Sequence, residues 1–112
     1  MLTSGDVHHA DLGEAKGREA GLTRPVIVVT AQGVLAQAPT VVHVVPVTTT
    51  RRAFRSEIDV DPDATNGLSQ PSAAQCQHLW AVSTDRLGDR LGHVGPALLT
   101  QIRETIADLL DL

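Results

Sequence analysis

Thr40-Val41-Val42-His43-Val44-Val45-Pro46-Val47-Thr48 is the stretch that decides the fold. β-Branched side chains fill most of it, and such side chains favour the pleated, half-buried surface of a strand. Pro46 offers no N–H to a ladder, so the strand is expected to be an edge or to carry a bulge at that point. Upstream, Pro25 opens a second β-branched run, Val26-Ile27-Val28-Val29-Thr30, which reads as a buried strand. Further upstream, Val7 to Leu12, bounded by Gly5 and Gly13, makes a first strand. Downstream, Arg55 to Val60 alternates, with Arg55, Glu57 and Asp59 on one face and Ser56, Ile58 and Val60 on the other, as in a half-exposed strand. Asp61-Pro62-Asp63 and Asn66-Gly67 mark a turn-rich loop. Short strands follow at Ser72 to Cys76 and Leu91 to Val94, and Ser83-Thr84-Asp85 can cap a short helix.

The carboxyl end changes period. Leu98, Leu99, Ile102, Ile106, Leu109 and Leu110 recur at three- and four-residue spacing, the signature of an amphipathic helix. Gly95 is a tolerated N-cap, and Pro96 suits the first helical position, where its missing N–H has no intrahelical partner. Five or six short strands and a terminal helix make a small, mostly antiparallel barrel. The 112 residues are expected to form one domain, spanning 1–112.

The single cysteine, Cys76, cannot close an intrachain disulfide and suits a reducing, cytoplasmic compartment. Met1 to Asp6 does not read as a signal peptide, and the apolar run Val41 to Val47 is too short to span a bilayer. The net charge is −4, which at first argues against a nucleic-acid partner. From Lys16 to Arg55, however, six basic residues face one acid, Glu19, for a local +5. Such a stretch is a candidate phosphate-binding face, although charge alone favours a scattered, solvated surface.

Three further runs carry a resemblance. They are Gly5-Asp6-Val7-His8-His9-Ala10-Asp11-Leu12, Lys16-Gly17-Arg18-Glu19, and Thr23-Arg24-Pro25-Val26-Ile27-Val28-Val29. In order and spacing they resemble the opening of the MazF/PemK toxin endoribonucleases. Val45-Pro46-Val47-Thr48-Thr49, Ser56-Glu57-Ile58-Asp59-Val60, Asp85-Arg86-Leu87 and Leu91-Gly92-His93-Val94 continue the resemblance over nearly the whole chain. It implies an SH3-like antiparallel barrel of the MazF/PemK/CcdB kind, a homodimer, single-stranded RNA bound along the dimer interface, and an antitoxin laid over that groove. Carried over by position, the catalytic arginine falls on Arg24, the catalytic hydroxyl on Thr48, and the loop glutamate on Glu19. Lys16, Arg18, His9, Thr49, Thr50, Arg51, Arg55, Gln77, His78 and Trp80 are candidate RNA contacts.

The chemistry of RNA cleavage suits these residue types. RNA brings its own nucleophile, the 2′-hydroxyl. The protein must align that oxygen, stabilise a phosphorane of increased negative charge, and move protons. A guanidinium stays charged and bonds two phosphate oxygens at once. A threonine hydroxyl at a strand end is stiff and can donate to the same phosphate. Glu19 on its glycine-flanked loop, or else His9 or His78, is the candidate base.

The five histidines do not make a metal site. His8 and His9 are strand neighbours and point to opposite faces, and His43, His78 and His93 stand alone. No cofactor is expected. Where the family often has an Asp-Gln-like pair, this chain reads Gln77-His78, with Trp80 two positions on. Trp80 is either a base-stacking surface or core filling. Rival readings on the same barrel are a CcdB-like, non-enzymatic gyrase poison and a non-catalytic RNA- or peptide-binding barrel. The chain ends Leu109-Leu110-Asp111-Leu112 and lacks the terminal Trp-Gly-Ile of CcdB. The sequence leaves open which bases are recognised, whether messenger, transfer or ribosomal RNA is cut, and which antitoxin binds; the partner is expected to be acidic.

Overall fold

The structure, a computed structural model, describes all residues except 15 and 18–21. Its strands are β1 (Asp6–Asp11), β2 (Thr23–Val28), β3 (Val41–Thr48), β4 (Glu57–Val60), β5 (Ser72–Gln75), β6 (Trp80–Ser83) and β7 (Leu87–His93). Helix α1 (Gln32–Leu35) follows β2, and α2 (Pro96–Leu110) ends the chain. Every ladder is antiparallel. Five strands run in the order β7-β1-β2-β3-β6, and the far half of β3 turns instead to β5, which carries β4.

The connection between β6 and β7 makes this sheet curl. These consecutive strands sit on opposite edges, yet only the 3-10 turn Thr84–Arg86 joins them. Five flat strands would hold the edges roughly 19 Å apart, whereas the four steps from Ser83 to Leu87 reach at most about 14 Å. The edges must approach, and the sheet becomes the barrel. The turn is capped as the sequence implied, with the Ser83 hydroxyl accepting from the Asp85 N–H at 3.3 Å.

Strand β3 is not an edge. It pairs with β2 on one side throughout Val44 to Pro46, and on the other side it changes partner. The last pair with β6 is Val44–Trp80 and the first with β5 is Val47–Ala74, and Pro46 falls between them. The missing N–H is placed where one ladder stops and the next begins. A proline therefore occupies the most central strand of the molecule.

The two continuous β-branched runs have both faces covered. Ile27, Val29, Val45 and Val47 enter one core cluster, closed by Leu99 and Ile102 of α2. Val26, Val28, Val42 and Val44 enter a second, closed by Leu35 of α1 and by Leu12 and Val82. Burying a side chain of this size contributes roughly 1.5–3 kcal/mol. Helix α2 starts at N-cap Gly95 with Pro96 at its first position, as expected. Its stripe holds through Ile106, but Leu109 and Leu110 in the last turn are exposed. Arg103, at the edge of the stripe, ties the helix to the segments beside β1 and β2: its guanidinium donates to the Ser4 hydroxyl at 2.6 Å and to the Val29 carbonyl at 3.2 Å.

Two elements lay outside the sequence expectation. Helix α1 has only four residues, too few for a period to show. Strand β6 is equally short and carries polar and apolar residues without a clean alternation. Strand β7 also begins earlier than Leu91, because Leu87 to Arg90 pair with β1 through register shifts beside His8.

The Asp61–Gln70 loop is folded down onto β7. Asn66, 1 % exposed, donates from its amide to the Asp61 carbonyl at 2.8 Å and accepts from the Leu68 N–H at 3.0 Å. The Thr65 carbonyl accepts from the His93 N–H at 2.8 Å. This docking leaves no room for a Cβ at Gly92, where one would meet the Thr65 carbonyl oxygen. Gly92→Ala should therefore lower unfolding stability by about 1–3 kcal/mol. Gly33→Ala, on exposed α1 with open space around it, should be neutral or stabilising by up to roughly 1 kcal/mol. Urea unfolding of the two variants beside wild type checks the contrast.

Candidate active site on the β2–β3–β5–β4 face

The β2–β3 ladder pairs Val26 with Pro46 and Val28 with Val44. The same register, extended by two residues, sets Arg24 across from Thr48. Thr48 in turn pairs with Ala73, and Gln75 with Glu57. Residues paired across a ladder point to the same side of a sheet. Arg24, Thr48, Gln75 and Glu57 therefore share one face, and hydrogen bonds connect three of them. The Arg24 guanidinium donates to Gln75 Oε1 at 3.3 Å. The Gln75 amide donates to Glu57 Oε2 at 3.4 Å. Glu57 Oε2 also accepts from Gln77 Nε2 at 2.6 Å, and an ion pair joins Glu57 to Arg52. Thr48 Oγ1 accepts the Thr50 N–H at 3.1 Å, which leaves its own proton to donate.

Arg24 is half-buried at the mouth of this face. Gln75 is a neutral acceptor, and its bond helps to orient the guanidinium. Burial pushes the Glu57 carboxyl upward. Hydrogen bonds from Arg52, Gln77 and Gln75 and the charge of Arg52 outweigh that effect and hold it below its usual value of 4.5. Glu57 is thus an anion here. Beside it, burial pushes the Cys76 thiol up to about 11, which makes it an inert, protonated core residue.

The other candidate residues divide. Glu19 and Arg18 lie outside the described residues. Gln77 joins the Glu57 cluster, and Thr50 holds Thr48 through its backbone. Trp80 pairs with Val44, on the Arg24 side of β3, and packs half-buried against the second core cluster. It belongs to both the core and the face. His78 is half-buried on the turn before β6. Lys16 is exposed. Arg51 is engaged elsewhere: it donates to Asp61 at 2.6 Å and to the Ser72 carbonyl at 3.0 Å and lies 3.7 Å from Asp59. Arg55 lines a cleft with Thr105 and Asp108 of α2. His9 pairs with Pro25, which puts it on the face opposite to Arg24. There, with Thr49, it lines a separate cleft of about 190 Å³. The pairing of Arg51 and Arg52 with acids of the β4 region means that the +5 stretch is weaker in the folded protein than in the sequence.

His8 is buried and His9 exposed, as adjacent strand positions require. The His8 Nδ1 donates to the Gly88 carbonyl at 3.0 Å. His93 accepts the Gly95 N–H at Nδ1, so its Nε2 carries the proton and donates to the Ser4 carbonyl at 3.0 Å. Among the described residues no three His, Cys, Asp or Glu side chains are grouped to hold a metal ion. Likewise no helix is long and apolar enough to cross a membrane.

Sequence reasoning missed Gln75 and Glu57. Of the polar pair it named, Gln77-His78, Gln77 joins this cluster. A signal was present: Gln75 ends a run of small residues, Ser72-Ala73-Ala74, where a long amide has no packing reason to sit.

An antiparallel barrel closed by a terminal helix is a fold shared with small toxins of toxin–antitoxin systems. The comparisons with known proteins agree. The PemK-like, MazF-like toxins of type II toxin–antitoxin systems match residues 3–110. Endoribonuclease MazF9 of Mycobacterium tuberculosis is 32 % identical over 117 aligned positions, covering 100 % of this chain and 98 % of that protein. The solved structure of Mycobacterium tuberculosis toxin MazF-mt6 superimposes with a TM-score of 0.77 at 32 % identity, covering 96 % and 97 % of the two chains. An endoribonuclease in complex with its cognate antitoxin, from Mycobacterial species, superimposes with a TM-score of 0.80 at 26 % identity, covering 100 % and 97 %. The chain belongs to the MazF/PemK toxin family.

The lowered Glu57 carboxyl fixes a pH dependence. Its contribution to stability is fully present above about pH 4.5 and is lost as pH falls through the lower, folded-state value. Glu57→Gln has no such group to titrate. The stability gap between wild type and Glu57→Gln should therefore narrow as pH is lowered from about 6 to about 3, as read by chemical unfolding at each pH.

Proposed function

We propose that this MazF-type endoribonuclease cuts single-stranded RNA at selected sequences by attack of the substrate's own 2′-oxygen, working in the cytoplasm as a homodimer held silent by an antitoxin. The observation that carries the reading is the position of Arg24: a guanidinium fixed by a neutral amide, on the same sheet face as the Thr48 hydroxyl. These are the groups a phosphorane needs. Arg24 neutralises and aligns two nonbridging oxygens, and Thr48 donates to the same phosphate from a strand end. Electrostatic stabilisation of this kind is typically the largest single catalytic term. The 2′-oxygen attacks phosphorus, the 5′-oxygen of the next nucleotide departs with a proton, and a five-membered 2′,3′-cyclic phosphate remains. Glu19 is the candidate acceptor of the 2′-proton. No step calls for a metal ion or an activated protein nucleophile, and the buried Cys76 offers none.

The family is one of toxin–antitoxin pairs, and a segment with acidic residues and apolar anchors fits a face built around Arg24. Its binding should weaken as salt rises, but less than six free cations would imply, since Arg51 and Arg52 are already paired. Trp80, half-buried against the second core, is the candidate surface for stacking a base.

Arg24→Ala and Thr48→Ala should each lower the cleavage rate by ~10²–10³ while the protein stays folded. Activity should survive excess EDTA, and a substrate with deoxyribose at the cut position should bind but remain intact. The downstream fragment should carry a 5′-hydroxyl, open to polynucleotide kinase without phosphatase treatment. Full activity in Arg24→Ala, or loss in EDTA reversed by a divalent ion, would overturn the reading.

A further inference from the structure

Glu57 opens β4 with its carboxylate 2 % exposed. Oε2 gathers donors from Gln75, Gln77 and Arg52, while Oε1 is buried with no hydrogen-bond partner among the described residues. Oε1 carries a desolvation cost of its own, although the donors on Oε2 and the charge of Arg52 outweigh burial for the carboxylate as a whole. Its neighbours show what else it does. Gln75 stands between an acceptor-only carboxylate and a donor-only guanidinium. A glutamine amide can turn over and exchange its carbonyl for its NH₂ with little change in shape. Against Glu57 only the NH₂ end is favourable, and that leaves Oε1, and only Oε1, facing Arg24.

We propose that Glu57 is a positioning residue for RNA cleavage, fixing the Gln75 amide so that its carbonyl holds the Arg24 guanidinium in register with the scissile phosphate. The carboxylate does this without touching Arg24. Through the neutral amide only direction is transmitted. The inference rests on the catalytic reading of Arg24.

The test is a double-mutant cycle. Glu57→Gln preserves shape but removes the acceptor-only character, so the Gln75 amide loses its preferred sense. In this variant kcat should fall about ten- to hundredfold, with KM for an RNA oligonucleotide within about twofold. Gln75→Ala should lower kcat at least as much. The double variant should then be no slower than Gln75→Ala, because Glu57 acts only through that amide. Additive losses in the double variant, or wild-type kcat in Glu57→Gln, would overturn the proposal. A second readout does not depend on cleavage. The hindered rotation of the Arg24 guanidinium, followed by 15N NMR well below the melting temperature, should speed up in Glu57→Gln and in Gln75→Ala alike. An unchanged rotation rate in folded Glu57→Gln would also overturn it. Arg24→Ala assayed in parallel separates the two failures. Undiminished cleavage there removes the catalytic role of Arg24. An inactive Arg24→Ala beside a fully active Glu57→Gln removes only the positioning role.

Discussion

The structure depends on the change of partner along β3. One strand of eight residues belongs to two ladders on the same flank, β6 along its first half and β5 along its second. Pro46 sits at the hand-over, where a residue with an N–H would leave a donor to be satisfied between the two. The divergence of β5 and β4 from β6 at this point gives the molecule two cores, because α2 and α1 can each close a different side of β2 and β3. It also creates the candidate catalytic face. Thr48 lies just beyond the hand-over, and β5 and β4 bring Gln75 and Glu57 alongside Arg24.

Much of this architecture was legible in the sequence, for physical reasons. The runs Val26 to Thr30 and Val41 to Thr48 are continuous and β-branched because both faces are covered, and such runs announce buried strands. The α2 stripe was readable because four turns are long enough to show a period, and Gly95-Pro96 marked its start. Pro46 was correctly singled out and its consequence misjudged. A proline signals that a ladder is interrupted, but the sequence cannot say whether the interruption is the edge of a sheet or a junction of two. Strand β6 and helix α1 were not legible, since four residues carry too little pattern to outweigh their composition.

The site was legible unevenly. Arg24 and Thr48 came from motif order, and the register of β2 on β3 supports their placement on one face. The network behind them was invisible, because Glu57 and Gln75 are 18 positions apart and nothing local in Ser56-Glu57-Ile58 distinguishes a buried anion from a solvated one. Alternation put Glu57 on the polar side of its strand, which is correct. That side is covered rather than open, because Arg52, Gln75 and Gln77 close over the carboxylate. Charge counting failed in a related way. It recorded Arg51 and Arg52 as basic, whereas their acidic partners lie on the other side of a turn in the chain.

The chain has one tryptophan and no tyrosine. Trp80 is therefore its dominant chromophore for near-ultraviolet excitation, and it sits half in the second core cluster and half on the face that carries Arg24. The protein contains a built-in optical probe at the boundary between its second core and the candidate face. The wavelength of its emission reports the packing of the second core. Quenching by a bound base or peptide reports occupancy of the face, with no label attached.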